Sequence, residues 1–413
     1  MTKHSLANPS LAVAQTRPNA APGGPAADGA SRPADGGGHE RAGSPDPVFS
    51  LAPLRDRLAL GQSWRSLQER CTPSLFQSWG WIEAWLGILP SWIEPCVLVA
   101  RRDAFVCALG IVCRARRRRY GWLPSAGLFL NETGVPELDA LTIEYNGLLC
   151  SDADRASLTT AAMSFLVDAV EGWDELYLSG VGDDTVAAAQ SSGLGVTITG
   201  RHPCHFVDLG EIRDRERPYL DCLSRNTRSQ VRRALRRYEE RGALSAVPAA
   251  TVDQALSFFS EMKALHQAYW KRRGEPGAFA NPVFEGFHRA FIASRFPAGE
   301  IEMLRIAVDG APIGYLYNIV YRKHVYSYQS GFAYEQDGAM KPGLVSHYLA
   351  IERSLSEGAE IYDFMAGGGQ HKRSLGTACR DMVWLRAARP RLKFRAEAVL
   401  RTLKQRLSRS SAA

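Results

Sequence analysis

The densest grouping of chemically capable side chains is EIYDFMAGGGQHKRSLGT, residues 360–377. Ile361, Tyr362, Asp363, Phe364 and Met365 alternate as a strand does, with an acid in its middle. The strand pattern runs into Gly367-Gly368-Gly369 and then into Gln370, His371, Lys372 and Arg373. A purely structural strand needs neither an interior carboxylate nor a flexible loop loaded with proton carriers. The combination suits proton transfer, or the holding of a developing negative charge, at the end of a strand. It also fits a structural account, in which Asp363 pins the loop or pairs with Lys372 or Arg373.

A second candidate stands upstream. Lys341-Pro342-Gly343 precedes LVSHYLAIERSLSEG, which has the apolar spacing of a helix. A helix start exposes unpaired N–H groups and about half a positive charge. Pro342 suits helix entry, Gly343 permits close approach to the backbone, and Lys341 adds a full charge. With Leu344 beside them, these residues form a candidate pyrophosphate cradle, the alternative being an ordinary capped helix.

The elements that must position these groups are legible around them. IEMLRIAVDG, APIGYLYNIVYRK and HVYSYQSGF read as three strands of an antiparallel meander, turning at Asp309-Gly310 and Arg322-Lys323. The last of them, the loop, the helix and the 361–365 strand form a crossover if the two strands lie parallel. CRDMVWLRAA reads as a closing strand. Two helices come first, CLSRNTRSQVRRALRRYEERG with Ser224 as N-cap, and VDQALSFFSEMKALHQAYWKRRG. An earlier unit repeats the theme: the helix PSLFQSWGWIEAWLGIL with Trp81, Trp85 and Ile88 on one face, strands on either side of Arg102-Asp103, a helix RASLTTAAMSFLVDAVEGW, then strands DELYLSG and CHFVDLG. The fold class read from this order is α/β (α+β), with mixed, mainly antiparallel sheets flanked by helices. The division is 48–210 for the first unit, 211–390 for the second, and 391–413 for a basic helix or tail.

Length and charge agree with two folded units. The chain has 413 residues, against ~150 for an average domain, a net charge of +7 and eight scattered cysteines. The charge favours anionic partners. The cysteines lack a metal-like spacing and, without a secretory signal pattern, indicate reduced thiols and a cytoplasmic location. No apolar run reaches the ~18 residues of a membrane helix, and no metal site is expected. In His202-Pro203-Cys204-His205, ligands packed that closely fall more often on opposite faces of a strand.

Four stretches carry a resemblance to a known family: FQSWGWIEAW, SRNTRSQVRRALRR, LHQAYWKRRGEPGAFANPVFEGFHRAF and GAEIYDFMAGGGQHKRSLG. They resemble the GNAT acyltransferases, specifically the group named for cellulose biosynthesis (CelD-like or BioF-like acetyltransferase domains), over about residues 75–389. That group is similar in turn to Fem-type aminoacyltransferases, which use tandem GNAT-like units. His371-Lys372 stands where the family usually has Tyr-Lys. The resemblance implies an acyltransferase that takes acetyl-CoA or another acyl-CoA as co-substrate. The acceptor would be an amine or hydroxyl of an envelope or exopolysaccharide precursor. Fem-like use of charged tRNA and a non-catalytic scaffold for a polysaccharide synthase are the alternatives. Lys341, Pro342, Gly343 and Leu344 would then hold the donor's pyrophosphate, with Gln329 beside its acyl arm. An amine acceptor of pKa ~10 must lose a proton before attack, so Asp363 becomes a candidate to orient or deprotonate it. His371 and Lys372 become candidates for substrate contact or oxyanion support. Tyr326 and Tyr328 share one face of their strand and could line the channel, or be core. Arg225, Arg228, Arg232 and Arg236 form a stripe that is either a solvated face or faces an anionic substrate. His266 reads as packing, and Arg114–Arg119 as a solvated hairpin end.

Residues 1–47 are rich in Ala, Pro, Gly, Ser and Asp and poor in large apolar side chains, so they cannot offset their ordering entropy. Their removal is expected to leave melting temperature and activity unchanged. A loss of several degrees by calorimetry would show that the segment docks.

Overall fold

The computed structural model describes residues 46–397, except Tyr120 and Thr142. The N-terminal segment expected to be disordered therefore lies outside the described residues up to residue 45. Of the basic C-terminal segment only a helix at 392–397 is described, and its remainder lies outside.

Thirteen strands are present among the described residues. They are β1 (Val48–Pro53), β2 (Cys96–Arg102), β3 (Phe105–Arg119), β4 (Leu123–Leu130), β5 (Leu149–Cys150), β6 (Glu175–Val181) and β7 (Gly195–Asp208) in the first half. β8 (Leu244–Pro248), β9 (Ile301–Val308), β10 (Ala311–Tyr321), β11 (His324–Phe332), β12 (Ile361–Ala366) and β13 (Ala378–Ala388) follow. They form one sheet in the order β1-β2-β3-β4-β6-β13-β7-β12-β11-β10-β9-β8, with β5 beside β3.

This order is a palindrome. Read inward from either edge, β1-β2-β3-β4-β6 matches β8-β9-β10-β11-β12. The parallel pairs, β4 with β6 and β11 with β12, fall at the same place in each half. The last strand of each unit crosses to the other: β13 pairs with β6 of the first unit and β7 with β12 of the second, while β7 and β13 pair with each other. The tandem plan is thus present, but each unit's closing strand is exchanged. Neither 48–210 nor 211–390 contains the strand that completes its own half of the sheet.

Helices cover both faces. Arg57–Glu69 and Trp79–Ile88 of the first unit meet Val252–Arg272 and Pro282–Arg295 of the second over one continuous core. Trp81 sits at its centre, its ring 5.1 Å from Phe287 and 5.4 Å from Phe291. On the opposite face, Arg155–Asp168 and Asp183–Ser191 cover the first unit, and Arg225–Glu239 and Pro342–Ser356 the second. The local signals hold at several ends. Ser224 caps its helix by accepting from the Thr227 N–H at 3.2 Å, and Pro342 occupies the first turn of the helix it was assigned to. The turn at Asp309-Gly310 places both residues at positive φ, 44° and 80°, where glycine is at ease.

Arg114–Arg119 forms the end of β3, paired throughout with β4 up to the hairpin turn, with Arg114, Arg116, Arg117 and Arg118 exposed. Arg117 lies over the stacked rings of Phe129 and Tyr177, and Arg119 bonds Glu175 at 3.0 Å. A strand tolerates such a run because alternate arginines reach solvent while the others cover aromatic surface.

The exchange makes a direct prediction. A fragment of residues 46–210 is expected to be unfolded or aggregated, because β6 and β7 each lose β13 and leave open edges. The same fragment co-expressed with 211–413 should co-purify as a folded complex. A monomeric, cooperatively melting 46–210 fragment by circular dichroism and gel filtration would contradict this.

Candidate active site

β11 and β12 are bonded only over His324–Tyr326 and Ile361–Asp363, and then separate. Each strand bends at that point for a local reason. On β11 the register to β10 slips between Tyr317↔Gln329 and Asn318↔Ser327, leaving Tyr328 as an extra residue. On β12 the register to β7 slips between Asp363↔Phe206 and Ala366↔Cys204, and Met365 takes φ +61°. A bulge bends and twists the strand that carries it, so two facing bulges open a gap. Its edges are 327–332 and 364–366, whose side chains at Ser327, Tyr328, Gln329, Ser330 and Ala366 are partly exposed. The helix Pro342–Ser356 begins just past the end of β11. Its Gly343 and Leu344 N–H groups precede any intrahelical acceptor.

The matching separation of β4 and β6 in the first unit is filled. The Asn146 N–H donates to Gly180 O at 2.9 Å, and Asn146 bridges Val181 in parallel. Asn131 Nδ2 donates to Asn146 Oδ1 at 2.8 Å and to Gly147 O at 3.0 Å. The chain at 146–147 thus replaces whatever would otherwise enter.

The same loop also reaches the second unit. Tyr328 OH donates to Leu141 O, the Ala366 N–H donates to Glu144 Oε2 at 2.7 Å, and Tyr145 OH donates to Asp363 Oδ2. A segment of the first unit therefore spans the gap of the second, touching both of its edges.

Asp363 is fully buried. Four groups approach its carboxylate: the Met365 N–H at 2.7 Å, Cys204 Sγ at 3.2 Å, His324 Nε2 at 3.0 Å and the Tyr145 hydroxyl. Burial alone would raise its pKa, but His324, Tyr145 and the Met365 N–H hold the carboxyl below its ordinary value. Glu144 is shifted the other way. It is 3% exposed, and burial pushes its carboxyl up to about 7, against the pull of Lys372 and the Ala366 N–H and with the push of Asp363. Lys372 donates to Ala366 O at 2.7 Å and to Met365 O at 3.3 Å, so it ties down the end of β12. Burial lowers its pKa, with Glu144 opposing most. His371 is exposed and stacks on buried His347, rings 5.6 Å apart at 13°.

The structure brings together Asp363, Lys372, Tyr326, Tyr328 and Gln329 at the gap, with His371 at its edge. Tyr326 is a core residue, 2% exposed, its hydroxyl accepting from the Leu75 N–H at 3.3 Å. Lys341, Pro342, Gly343 and Leu344 stand at the helix start, where Lys341 Nζ donates to Gln230 Oε1 at 2.6 Å. That bond sets which flank of the arginine helix meets the cradle. Arg228 bonds Asp221 at 2.7 Å and Arg232 lies 3.9 Å from the same carboxylate, so the Arg225-Arg228-Arg232 flank turns elsewhere. Arg233 and Arg237 follow Gln230 at helical spacing, and Arg237 bonds Asp337 of the loop at 3.1 Å. Glu144 and Tyr145 were missed. They sit in an irregular loop of the first unit, and no local pattern links them to a strand over two hundred residues away.

Residues 225–373, a range that includes β11, β12 and the helix between them, match the family described as "Acetyltransferase (GNAT) domain". No curated protein sequence matches the chain. Among solved structures, a tandem GNAT protein from the clavulanic acid biosynthesis pathway shares 14% identity, covers 83% of this chain and 100% of its own, and has a TM-score of 0.44. L-PGS from Bacillus licheniformis shares 10% identity over 82% of this chain and 96% of its own, TM-score 0.47. FemX shares 11% over 82% and 97%, TM-score 0.43.

The opposite shifts of the two carboxyls give a stability test. Glu144 has a folded pKa above its ordinary 4.5, so its contribution is fully present below that value and lost as pH rises through about 7. Glu144→Gln keeps the acceptor for Ala366 and removes the titration. The variant should lose less melting temperature than wild type between pH 4.5 and 8. Asp363→Asn should instead destabilise at neutral pH by about 1–3 kcal/mol, because an amide cannot satisfy four incoming groups. At ~2–4 °C per kcal/mol that is a drop of several degrees. An unchanged melting temperature for Asp363→Asn would remove its assigned role.

Proposed function

We propose that the chain is a GNAT-type acyltransferase that moves an acyl group, acetyl in the first instance, from acyl-CoA to an amine or hydroxyl acceptor. The observation that carries this reading is the gap between β11 and β12, opened by facing bulges and ending at a helix start. An extended thioester arm can lie along the free edge of β11, with its pyrophosphate at Gly343 and Leu344. The match of residues 225–373 to an acetyltransferase domain supports the same reading. The resemblance noted from the sequence suggests an envelope or exopolysaccharide precursor as acceptor and cytoplasmic action. No helix among the described residues is long and apolar enough to cross a membrane.

Within this reading the carboxylates divide the work. Glu144 lies at the gap with a pKa of about 7, matched to accepting a proton near neutral pH. It takes the proton from the acceptor's nitrogen or oxygen as that atom attacks the thioester carbonyl. The tetrahedral oxyanion then collapses and expels the CoA thiolate. In this reading a backbone N–H of the opened β11 edge receives the oxyanion. Asp363, saturated by donors, is a positioning residue for β12 and the 141–147 loop. Lys372 holds the Met365 and Ala366 carbonyls and keeps Glu144 in reach of a positive charge.

Titration with acetyl-CoA is expected to saturate at one site per chain. Gly343→Asp should abolish binding, since it sets a carboxylate against the pyrophosphate. Gly343→Ala serves as control, because a Cβ there meets the Phe332 ring at 3.1 Å and tests crowding alone. Unaltered affinity in the aspartate variant would move the donor site. Saturation only with charged tRNA would replace the donor.

Kinetics separate the two carboxylates. Glu144→Gln should lower kcat by ~100- to 10,000-fold with acetyl-CoA affinity intact, and erase the rise of kcat/KM with pH near 7. Asp363→Asn should lose activity through lost folding and, by removing a charge that raises Glu144, move the rise of kcat/KM to lower pH. A Glu144→Gln enzyme within a few-fold of wild type would end the base assignment.

A further inference from the structure

The helix Val252–Arg272 runs alongside β11. His266 Nδ1 lies 3.1 Å from Ser330 O, and one turn later Tyr269 reaches Tyr334 in the chain that leaves β11. There Tyr269, Arg272, Arg273, Tyr334, Glu335 and Gln336 line an open surface cavity of about 320 Å³, at the lower end of the ~300–1,000 Å³ range of ligand sites. The Tyr269 and Tyr334 rings are 5.0 Å apart at 32°, and Tyr334 stays 44% exposed. The Arg273 guanidinium lies over Tyr269 and Trp270, at 5.6 and 6.0 Å from the ring centres. The acid in the lining, Glu335, is occupied: Arg241 Nη1 donates to both of its oxygens, at 2.8 and 2.9 Å. Arg272 and Arg273 have no carboxylate partner among the described residues. Basic side chains in a last helical turn complement the helix dipole, but that does not account for the aromatic pair or for Tyr334 arriving from a different element.

We propose that this cavity is a nucleoside-phosphate subsite, in which Arg272 and Arg273 hold a phosphate and the exposed face of Tyr334 takes the attached ring. Arginine's planar fork matches phosphate oxygens, and an aromatic face accepts a base of any identity. The placement fits an occupant that also reaches the gap. Tyr334 lies six residues beyond Tyr328, four of them along β11 before the chain turns at Phe332, so the two are at most ~20 Å apart at ~3.3 Å per residue. The proposal deepens the acyltransferase reading and, as to the donor's end, rests on it. Two sources share the chemistry: the phosphorylated adenosine of CoA and a nucleotide-linked acceptor.

Calorimetric titration of the full chain with CoA, 3′-dephospho-CoA and UDP separates them. The proteins compared are wild type, the double variant Arg272→Ala/Arg273→Ala, Tyr334→Ala, and a control pair, Arg116→Ala/Arg118→Ala. All four must show the same melting temperature. Because Tyr334→Ala removes no charge, it supplies a second test should the double variant fold poorly. For the donor source, CoA affinity should fall at least about tenfold in both cavity variants and stay unchanged in the control. Removing the 3′-phosphate should then cost wild type a similar factor and the double variant little. For the acceptor source, CoA affinity holds and UDP affinity falls. UDP binding that depends on these residues in a chain that does not bind CoA sustains the subsite while ending the acyl-CoA reading. CoA binding that depends on Gly343, with neither probe affected by the cavity variants, overturns the subsite and leaves that reading standing. Wild type binding neither probe overturns the subsite as well.

Discussion

Asp363 is a fully buried charged group, so its carboxylate has to be satisfied by the chain. The groups that do so come from four separate segments: Tyr145 from a loop of the first unit, Cys204 from β7, His324 from β11 and the Met365 N–H from β12 itself. None of them can leave without stranding a buried charge, so the four segments are fixed relative to one another. The parallel contact of β11 with β12 ends at this residue, and the gap begins one residue later. The Met365 N–H bond to Asp363 holds the positive-φ turn that bends β12 away. The opening of the sheet and the anchoring of its vertex are therefore one arrangement.

The exchange of last strands follows from the same centre. β7 supplies Cys204 and lies beside β12, although it belongs by sequence to the first unit. If β7 closed its own unit, Asp363 would lose Cys204. The 141–147 loop makes the coupling stronger, since it fills the first unit's separation with Asn146 and bridges the second unit's with Glu144 and Tyr145. One duplicated plan thus yields two unlike halves. One has its strand gap closed by its own chain, and the other keeps a gap whose lid is borrowed.

What the sequence disclosed is local. Period-2 alternation at 361–365, the Asp309-Gly310 turn, Pro342 at a helix entry and Ser224 as a cap are signals carried within a few residues, and each is found in place. The tandem order was legible because the elements repeat in sequence. The exchange was not, because β7 and β13 look alike as strands and nothing in either names its neighbour. The arginine helix shows the same limit. Its apolar arc, Val231, Ala234 and Tyr238, is buried as its spacing requires. Which polar flank meets the cradle depends on Gln230 finding Lys341, a contact across 111 positions. Glu144 carries no helical or strand period at all, and only tertiary structure gives it neighbours.

Two carboxyls a few residues' width apart are driven in opposite directions by their surroundings. Asp363 is met by donors on both oxygens, and its charged form wins over the burial that opposes it. Glu144 has one backbone donor and a lysine whose ammonium is already shared between two carbonyls, so burial prevails and the proton is held to about pH 7. Such divergence assigns roles: the group kept ionised organises structure, and the group poised near neutrality can exchange a proton. Asp363 adds to this difference, since its fixed negative charge raises Glu144 further. The acid that stood out in the sequence therefore acts on the chemistry through the one that did not. Removing its charge is felt at Glu144 as well as in the fold.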